Sequence, residues 1–259
     1  MNQSSLLFLE QMFSGIQWRN LSILIVNQTQ SNNLIISDFE NIRVINSFEI
    51  GLAKSRNLAI QNSIGSILVL TDDDVIFENN FIETIHNAYI ENENAAMIAF
   101  SVKNEKGQLF KKYSKNIKYK LNYFDIYNIM SIEITINRNN FDFKKLQFDE
   151  NFGLGAAFSF AEEAVLLSDI KKQKKEMLFI PKVIVSHDSI STIDKINFEK
   201  QYFILGAVYS RIHNNLFWIW VFVKIAFDLK QSKIKINQIP TLIKSAIKGR
   251  SYFFKINCK

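Results

Sequence analysis

The sequence predicts an α/β fold with a mainly parallel central sheet flanked by helices and a helical C-terminal extension. Three observations carry this prediction. Short apolar runs of strand length alternate with segments of helical spacing through the first half of the chain, the pattern of strand–helix–strand units. One such run, Ile67 to Leu70, leads into three consecutive carboxylates, Asp72, Asp73 and Asp74. Unpaired charges are excluded from a core, so the triplet belongs at the carboxyl end of a strand, where open α/β sheets hold ligands. Finally, 47% of the 259 residues are hydrophobic, with 23 Phe against 8 Gly and 2 Pro. That is enough for a sizeable core and argues against low-complexity disorder.

The elements follow in order. Ser5 to Phe13 has helical spacing, and Leu21 to Val26 reads as a buried strand. Ile42 to Ile45 is a shorter strand. Gly51 to Ser63 is a helix, with Leu52, Ser55, Ala59 and Asn62 stepping along one face by threes and fours. The run 66–70 is predicted to be a strand buried on both faces of a parallel sheet. Asn80 is placed as the cap of a helix reaching about Glu91, with Phe81, Ile82, Ile85, Ala88 and Tyr89 on one face. Ala96 to Val102 is a strand, and Lys106-Gly107 a turn. Residues 108–147 interleave Tyr, Asn and Lys with apolar residues, and only Ser131 to Asn137 alternates cleanly enough to predict a strand there. A helix from about Phe160 to Lys172 follows, then an extended segment from Met177 to Ser186 that ends at His187-Asp188. Helices dominate from 195 onward. The expected division is a catalytic-looking body, 1–194, and a C-terminal extension, 195–259.

Charge is distributed unevenly. Residues 195–259 carry 12 Lys/Arg against Glu199 and Asp228, a net +10, so that the first 194 residues are −4 within an overall +6. A basic tail on a near-neutral body suggests an anionic surface as partner. Nucleic acid is excluded as the expected partner, because no recognised binding motif accompanies the charge. The single Cys258 rules out a disulfide framework and a cysteine zinc site, and a reducing, cytoplasmic compartment is the expectation. Neither a signal peptide nor an apolar run long enough to cross a bilayer is recognised.

Three adjacent carboxylates repel one another. A hard divalent cation, Mg²⁺ or Mn²⁺, shared with a diphosphate relieves that repulsion. An acidic turn or a helix N-cap would use the same residues without any metal.

The stretch from Gly51 to Asp74, GLAKSRNLAIQNSIGSILVLTDDD, resembles the family 2 glycosyltransferases, which have the GT-A fold. Their motif joins a helix containing Arg-Asn to a strand and an Asp-rich metal site. Phe148 to Gly155 (FDENFGLG) resembles the family's glycine-containing acceptor loop, Ala161-Glu162-Glu163 its acidic base motif, and Val185-Ser186-His187 its late metal-binding histidine. The four motifs stand in the family's order over about residues 20–190.

The resemblance implies an inverting, metal-dependent transfer of sugar from a nucleotide-sugar to a hydroxyl of a glycan or lipid-linked saccharide. Asp72, Asp74 and His187 match the metal ligands. Asp73 matches a contact to the donor's ribose or sugar, its alternative being a turn residue or N-cap. The planar fork of Arg56 suits a phosphate or a base edge, or else a surface ion pair, and Asn57 is structural or touches the ligand. Glu163 matches the base that takes the acceptor's proton, with Glu162 beside it; the dipole at a helix start would stabilise the same pair without catalysis. Gly153 and Gly155 allow close backbone approach to a sugar, or positive φ in a tight loop. His86 and His213 match no motif and are taken as structural.

The chain departs from the family in two respects. The strand that usually precedes the first helix is not recognised before Ser5, and Glu-Glu stands where the family often has Asp at the second acid. A catalytically inactive partner protein in a membrane-associated glycan assembly complex is therefore the second reading. A nucleotidyltransferase is a third, though its Gly-rich phosphate loop is not found.

Leu216 to Leu229 (LFWIWVFVKIAFDL) is apolar nearly all round. About 14 residues would span only ~21 Å of a ~30 Å hydrocarbon core. It is either a core helix or an interfacial helix with Trp218 and Trp220 at headgroup depth and Lys224, Lys230, Lys233, Lys235, Lys244, Lys248 and Arg250 against anionic lipid. The second case places the chain at the inner face of the cell membrane.

Overall fold

The computed structural model describes residues 3–31, 33–142, 145–187 and 196–258. Two compact units divide it, Met1–Glu150 with Glu162–Ser189, and Asn151–Ala161 with Ile190–Lys259. The glycine loop at 151–161 thus groups with the C-terminal residues. Asp188 lies outside the described residues.

In the first unit, a short helix α1 (Phe8–Met12) leads to β1 (Ile23–Gln28), which pairs in parallel with β2 (Ile42–Ser47) from Ile23↔Ile42 to Gln28↔Ser47. These two form a sheet of their own. β1 is only half-buried over Ile23–Val26, where the sequence suggested a buried strand. The helix α2 (Leu52–Asn62) packs on β1. A five-stranded sheet has the order β3 (Ile67–Val69), β6 (Ile134–Asn137), β5 (Ala95–Lys103), β7 (Glu176–Ser186), β4 (Ile76–Phe77). The sheet was expected to be mainly parallel; β1–β2 and β5–β7 pair in parallel, while β3–β6, β5–β6 and β4–β7 run antiparallel. β3 is therefore an edge strand of three residues, not an interior one.

β5 is the centre of the core: Ala95 to Phe100 are fully buried. α3 (Phe81–Glu91) turns Phe81, Ile85, Ala88 and Tyr89 inward, against β5 and β7. Asn80 precedes it without a side-chain capping bond and holds the first turn through its carbonyl, which accepts from the Thr84 N–H at 2.9 Å. β7 runs through Pro181 because the ladder breaks there. Ala99 pairs with Phe179 and Ser101 with Val183, so the missing N–H falls in a bulge.

The polar stretch after β5 is folded back by one buried carboxylate. Glu133 lies in a 3₁₀ turn, Ser131–Glu133, where the alternation predicted the start of a strand. It accepts from Lys111 (2.8 Å) and from the Tyr113 hydroxyl (2.5 Å). Burial raises the pKa of Glu133, and Lys111 opposes that shift. A short helix α4 (Tyr123–Ile126), closed by an Asn122–Asp125 capping box, packs on α5 (Glu162–Lys172).

The second unit contains α6 (Phe198–His213), α7 (Phe217–Lys230) and α8 (Ile239–Asn257). The Asn197 side chain caps α6 by accepting from the Lys200 N–H at 2.9 Å. α6 and α8 touch backbone to backbone. A Cβ added at Gly206 would lie 2.0 Å from the Ala246 carbonyl oxygen, and one at Gly249 would lie 1.8 Å from that of Phe203. No helix among the described residues is long and apolar enough to cross a membrane.

Candidate active site

The site is assembled by three segments far apart in sequence. β3 ends at Val69, the Leu70 N–H still bonds to Ile134 O (3.2 Å), and the chain then leaves the sheet with Asp72, Asp73 and Asp74 at its end. α2 presents Arg56 from its buried side. α5 begins at Glu162 directly after Ala161, a non-glycine residue with φ of 79°. Backbone of that kind is costly and is kept where the surroundings enforce it.

Arg56 joins all three. Its Nη1 donates to Glu162 Oε1 (3.0 Å) and Glu163 Oε1 (3.0 Å), and its Nη2 donates to Asp72 Oδ1 (3.2 Å). The guanidinium also lies 5.5 Å from the centre of the Phe148 ring. Burial disfavours the cation, but Glu163, Asp72 and Glu162 outweigh it and raise the pKa. Glu162 is 4% exposed. Burial first, then the charge on Glu163, push its carboxyl up to about 8, against the pull of Arg56. Neighbouring carboxylates with divergent environments are the usual basis of acid–base chemistry.

Asn57, next along α2, is committed to the backbone. Its Nδ2 donates to Phe148 O (3.0 Å) and Glu150 Oε1 (3.2 Å), and its Oδ1 accepts from the Phe148 N–H (2.7 Å). It fixes the chain just before the glycine loop, the structural one of its two expected roles.

The carboxylates of the triplet are each differently engaged. Asp72 faces Arg56 and also accepts from Ser131 Oγ at 3.4 Å. Asp73 accepts from Gln3 Nε2 at 2.6 Å. Asp74 Oδ1 lies 3.3 Å from His187 Nε2, and this bond holds the Asp74 carboxyl below its ordinary pKa. Sequence reasoning missed Ser131 and Gln3. Neither carries a motif, and only the fold brings them here.

Among the described residues no three His, Cys, Asp or Glu side chains converge as a ready metal cage. Asp74 and His187 nevertheless suit a divalent cation. Two cis ligands of an octahedral ion with bonds of about 2.1 Å lie about 3.0 Å apart, close to the 3.3 Å found. Asp72, the third expected ligand, is turned to Arg56 and Ser131 instead.

In the second unit, Gly153 (φ 101°) and Gly155 (φ 82°) occupy backbone conformations that favour glycine. The Gly153 N–H bonds to Phe158 O and the Phe158 N–H to Asn151 O, closing a tight loop whose Phe152 and Phe158 rings lie 5.1 Å apart.

Comparison with known proteins agrees with this architecture. S. aureus TarS 1-349 superposes with a TM-score of 0.56 at 14% identity, covering 96% of this chain and 76% of that one. The same fragment in complex with UDP-GlcNAc gives 0.60 at 14% identity, over 87% and 71%. The complex with UDP gives 0.59 at 14% identity, over 93% and 74%. These likenesses establish a GT-A-like fold. No curated protein matches the sequence. The family model of glycosyl transferase family 2 matches residues 8–147, more than half of the chain. The chain belongs to glycosyl transferase family 2 and is a glycosyltransferase.

Proposed function

We propose that this glycosyltransferase moves a sugar, with inversion, from a nucleotide-sugar to a hydroxyl of a glycan or lipid-linked saccharide, with a divalent metal bound. The observation that carries the reading is the convergence on Arg56 of a strand-end carboxylate, Asp72, and the two acids that open α5. Two of the superposed TarS crystals hold UDP-GlcNAc and UDP, which supports a nucleoside diphosphate sugar as donor. A lipid-linked acceptor would put the chain at the inner face of the cell membrane.

Glu163 is the proposed base. It is the less buried of the two acids, with 16% of its side chain exposed, and Arg56 orients it. The acceptor oxygen attacks the anomeric carbon as its proton passes to Glu163, and the bond from that carbon to the diphosphate oxygen breaks with its electron pair leaving on the diphosphate. A single displacement of this kind inverts the anomeric centre. Asp74 and His187 would hold a Mn²⁺ or Mg²⁺ ion, which when bound offsets charge on the departing diphosphate. Asp73 would face the donor's ribose or sugar, and Gly153 and Gly155 the acceptor.

One observation favours the inactive-partner reading: among the described residues β1 pairs only with β2, so the two strands stand apart from the five-stranded sheet. A thermal-shift screen of UDP, GDP, CMP and dTDP with and without Mn²⁺ separates the two readings, since a ligand bound only by the folded state raises its melting point. Active transfer requires a metal-dependent shift with one nucleotide, and Glu163→Gln should keep that shift while losing ~10²–10⁴-fold in transfer rate. No shift with any nucleotide would leave the inactive partner.

A further inference from the structure

The helix α7 is apolar on its outer as well as its inner side. Its inward side holds Phe217, Val221 and Ile225 together with Asp228, which is 2% exposed. That buried carboxylate accepts from the Tyr202 hydroxyl (2.8 Å) and from Lys224. The opposite arc is open to solvent and apolar: Trp218 is 48% exposed, Ile219 58%, Phe222 53% and Phe227 48%, with Ala226 among them. At about 3.6 residues per turn these positions cover half the circumference. The one charged residue on that half is Lys230. A helix on the surface of a globular unit ordinarily has a polar outer side, whereas α7 is apolar on both sides.

We infer that this arc is a docking face for a bilayer surface carrying anionic headgroups. Three features select that occupant. Exposed lysines, Lys230, Lys233 and Lys235, follow directly from the end of the arc. Residues 195–259 carry a net +10, which complements an anionic surface and opposes the mating of two copies through the same face. At 14 residues α7 is too short to span the hydrocarbon but suited to lie in the interface, aromatic side chains down and lysines toward the phosphates. The backing is stiff, because α6 and α8 meet backbone to backbone at Gly206 and Gly249. This docking stands independently of the transfer chemistry.

The test is co-sedimentation of the full chain with vesicles of phosphatidylcholine alone or mixed with phosphatidylglycerol. The chain should pellet with the anionic vesicles only, and less as salt rises. Trp218→Ser with Phe222→Ser leaves every charge in place and should weaken binding about tenfold or more. Replacing Lys230, Lys233 and Lys235 by Gln should weaken it roughly a hundredfold. Brominated acyl chains should quench the tryptophan emission, and Trp218→Phe should remove most of that quenching. A Trp218→Ser/Phe222→Ser chain that pellets like the parent would overturn the proposal, since the apolar arc would then take no part. A chain that pellets with neither vesicle would do the same, as would a dimer in solution that the double substitution converts to monomer.

Discussion

Arg56→Met is the most direct test of the central ion cluster. Arg56 is 8% exposed and bridges three carboxylates at 3.0, 3.0 and 3.2 Å, one of which, Glu162, is 4% exposed. Methionine matches the stem of the side chain and removes the charge. Taking one partner from a buried ion pair costs about 3–5 kcal/mol, because the remaining charge is left uncompensated. With a urea slope near 3 kcal/mol/M, reasonable for a chain of this length, the unfolding midpoint should fall by about 1–1.7 M. The loss should depend on pH. Arg56 pulls against the shift that pushes the Glu162 carboxyl up to about 8, so its removal raises that carboxyl further, and only the parent gains the Arg56–Glu162 attraction as pH rises past 8. The full penalty belongs to pH 9 and a smaller one to pH 6. The assay is urea unfolding at both pH values followed by Trp18, which is buried in the first unit, with Trp218 and Trp220 replaced by Phe in parent and variant alike. A loss below about 1 kcal/mol at pH 9 would refute the reasoning, as that is the value of an exposed pair. An equal loss at both pH values would show that Glu162 does not titrate against Arg56.

Three other outcomes follow from the same geometry. Asp74→Asn or His187→Ala should abolish the Mn²⁺-dependent part of any nucleotide thermal shift while leaving the melting point of the ligand-free chain within a few degrees, because Asp74 is more than half exposed; a retained metal effect would place the ion elsewhere. Glu162→Gln should flatten the pH dependence of stability. The folded carboxyl is raised from 4.5 to about 8, so the parent holds that stability below pH 4.5 and loses it as pH rises toward 8. The melting point of the variant relative to the parent should climb across that window, and parallel profiles would refute the assignment. Gly206→Ala drives a Cβ to 2.0 Å from the Ala246 carbonyl oxygen and should destabilise the C-terminal unit by about 1–3 kcal/mol, read from its helical circular dichroism melt; an unchanged melt would mean that α6 and α8 do not cross there.

Much of the fold was legible because it is written in local periodicity. The helices at 52–62, 81–91 and 162–172 and the strand at 95–103 lie where apolar spacing puts them. What local pattern does not carry is the identity of a strand's neighbour. Ile67 to Leu70 reads the same at an edge as in a sheet interior, and the pairing of β3 with β6 joins Leu68 to Ile136, far apart in the sequence. The 108–133 stretch was opaque for a related reason. Its organising contacts run from Lys111 and Tyr113 to a single buried Glu133, and nothing near Glu133 in the sequence marks it as buried. The extended segment read from Met177 to Ser186 is one strand, in which a bulge accommodates Pro181.

The triplet shows how far a charge argument reaches. Three adjacent carboxylates do need positive or proton-donating partners, and the sequence pointed to a shared metal. In the fold each carboxylate instead has a partner of its own, Arg56 for Asp72, Gln3 for Asp73 and His187 for Asp74. Each carboxylate of the triplet thus has a polar partner within the protein. The metal proposed above would be held by Asp74, which is more than half exposed, and His187, which is largely covered. Arg56 acquires a different significance. Its partners Glu162 and Glu163 lie 106 and 107 residues further along the chain, and its fork ties Asp72 to the acids that open α5. An arginine so engaged is a positioning residue, and a substitution there should disturb both ends of the site together.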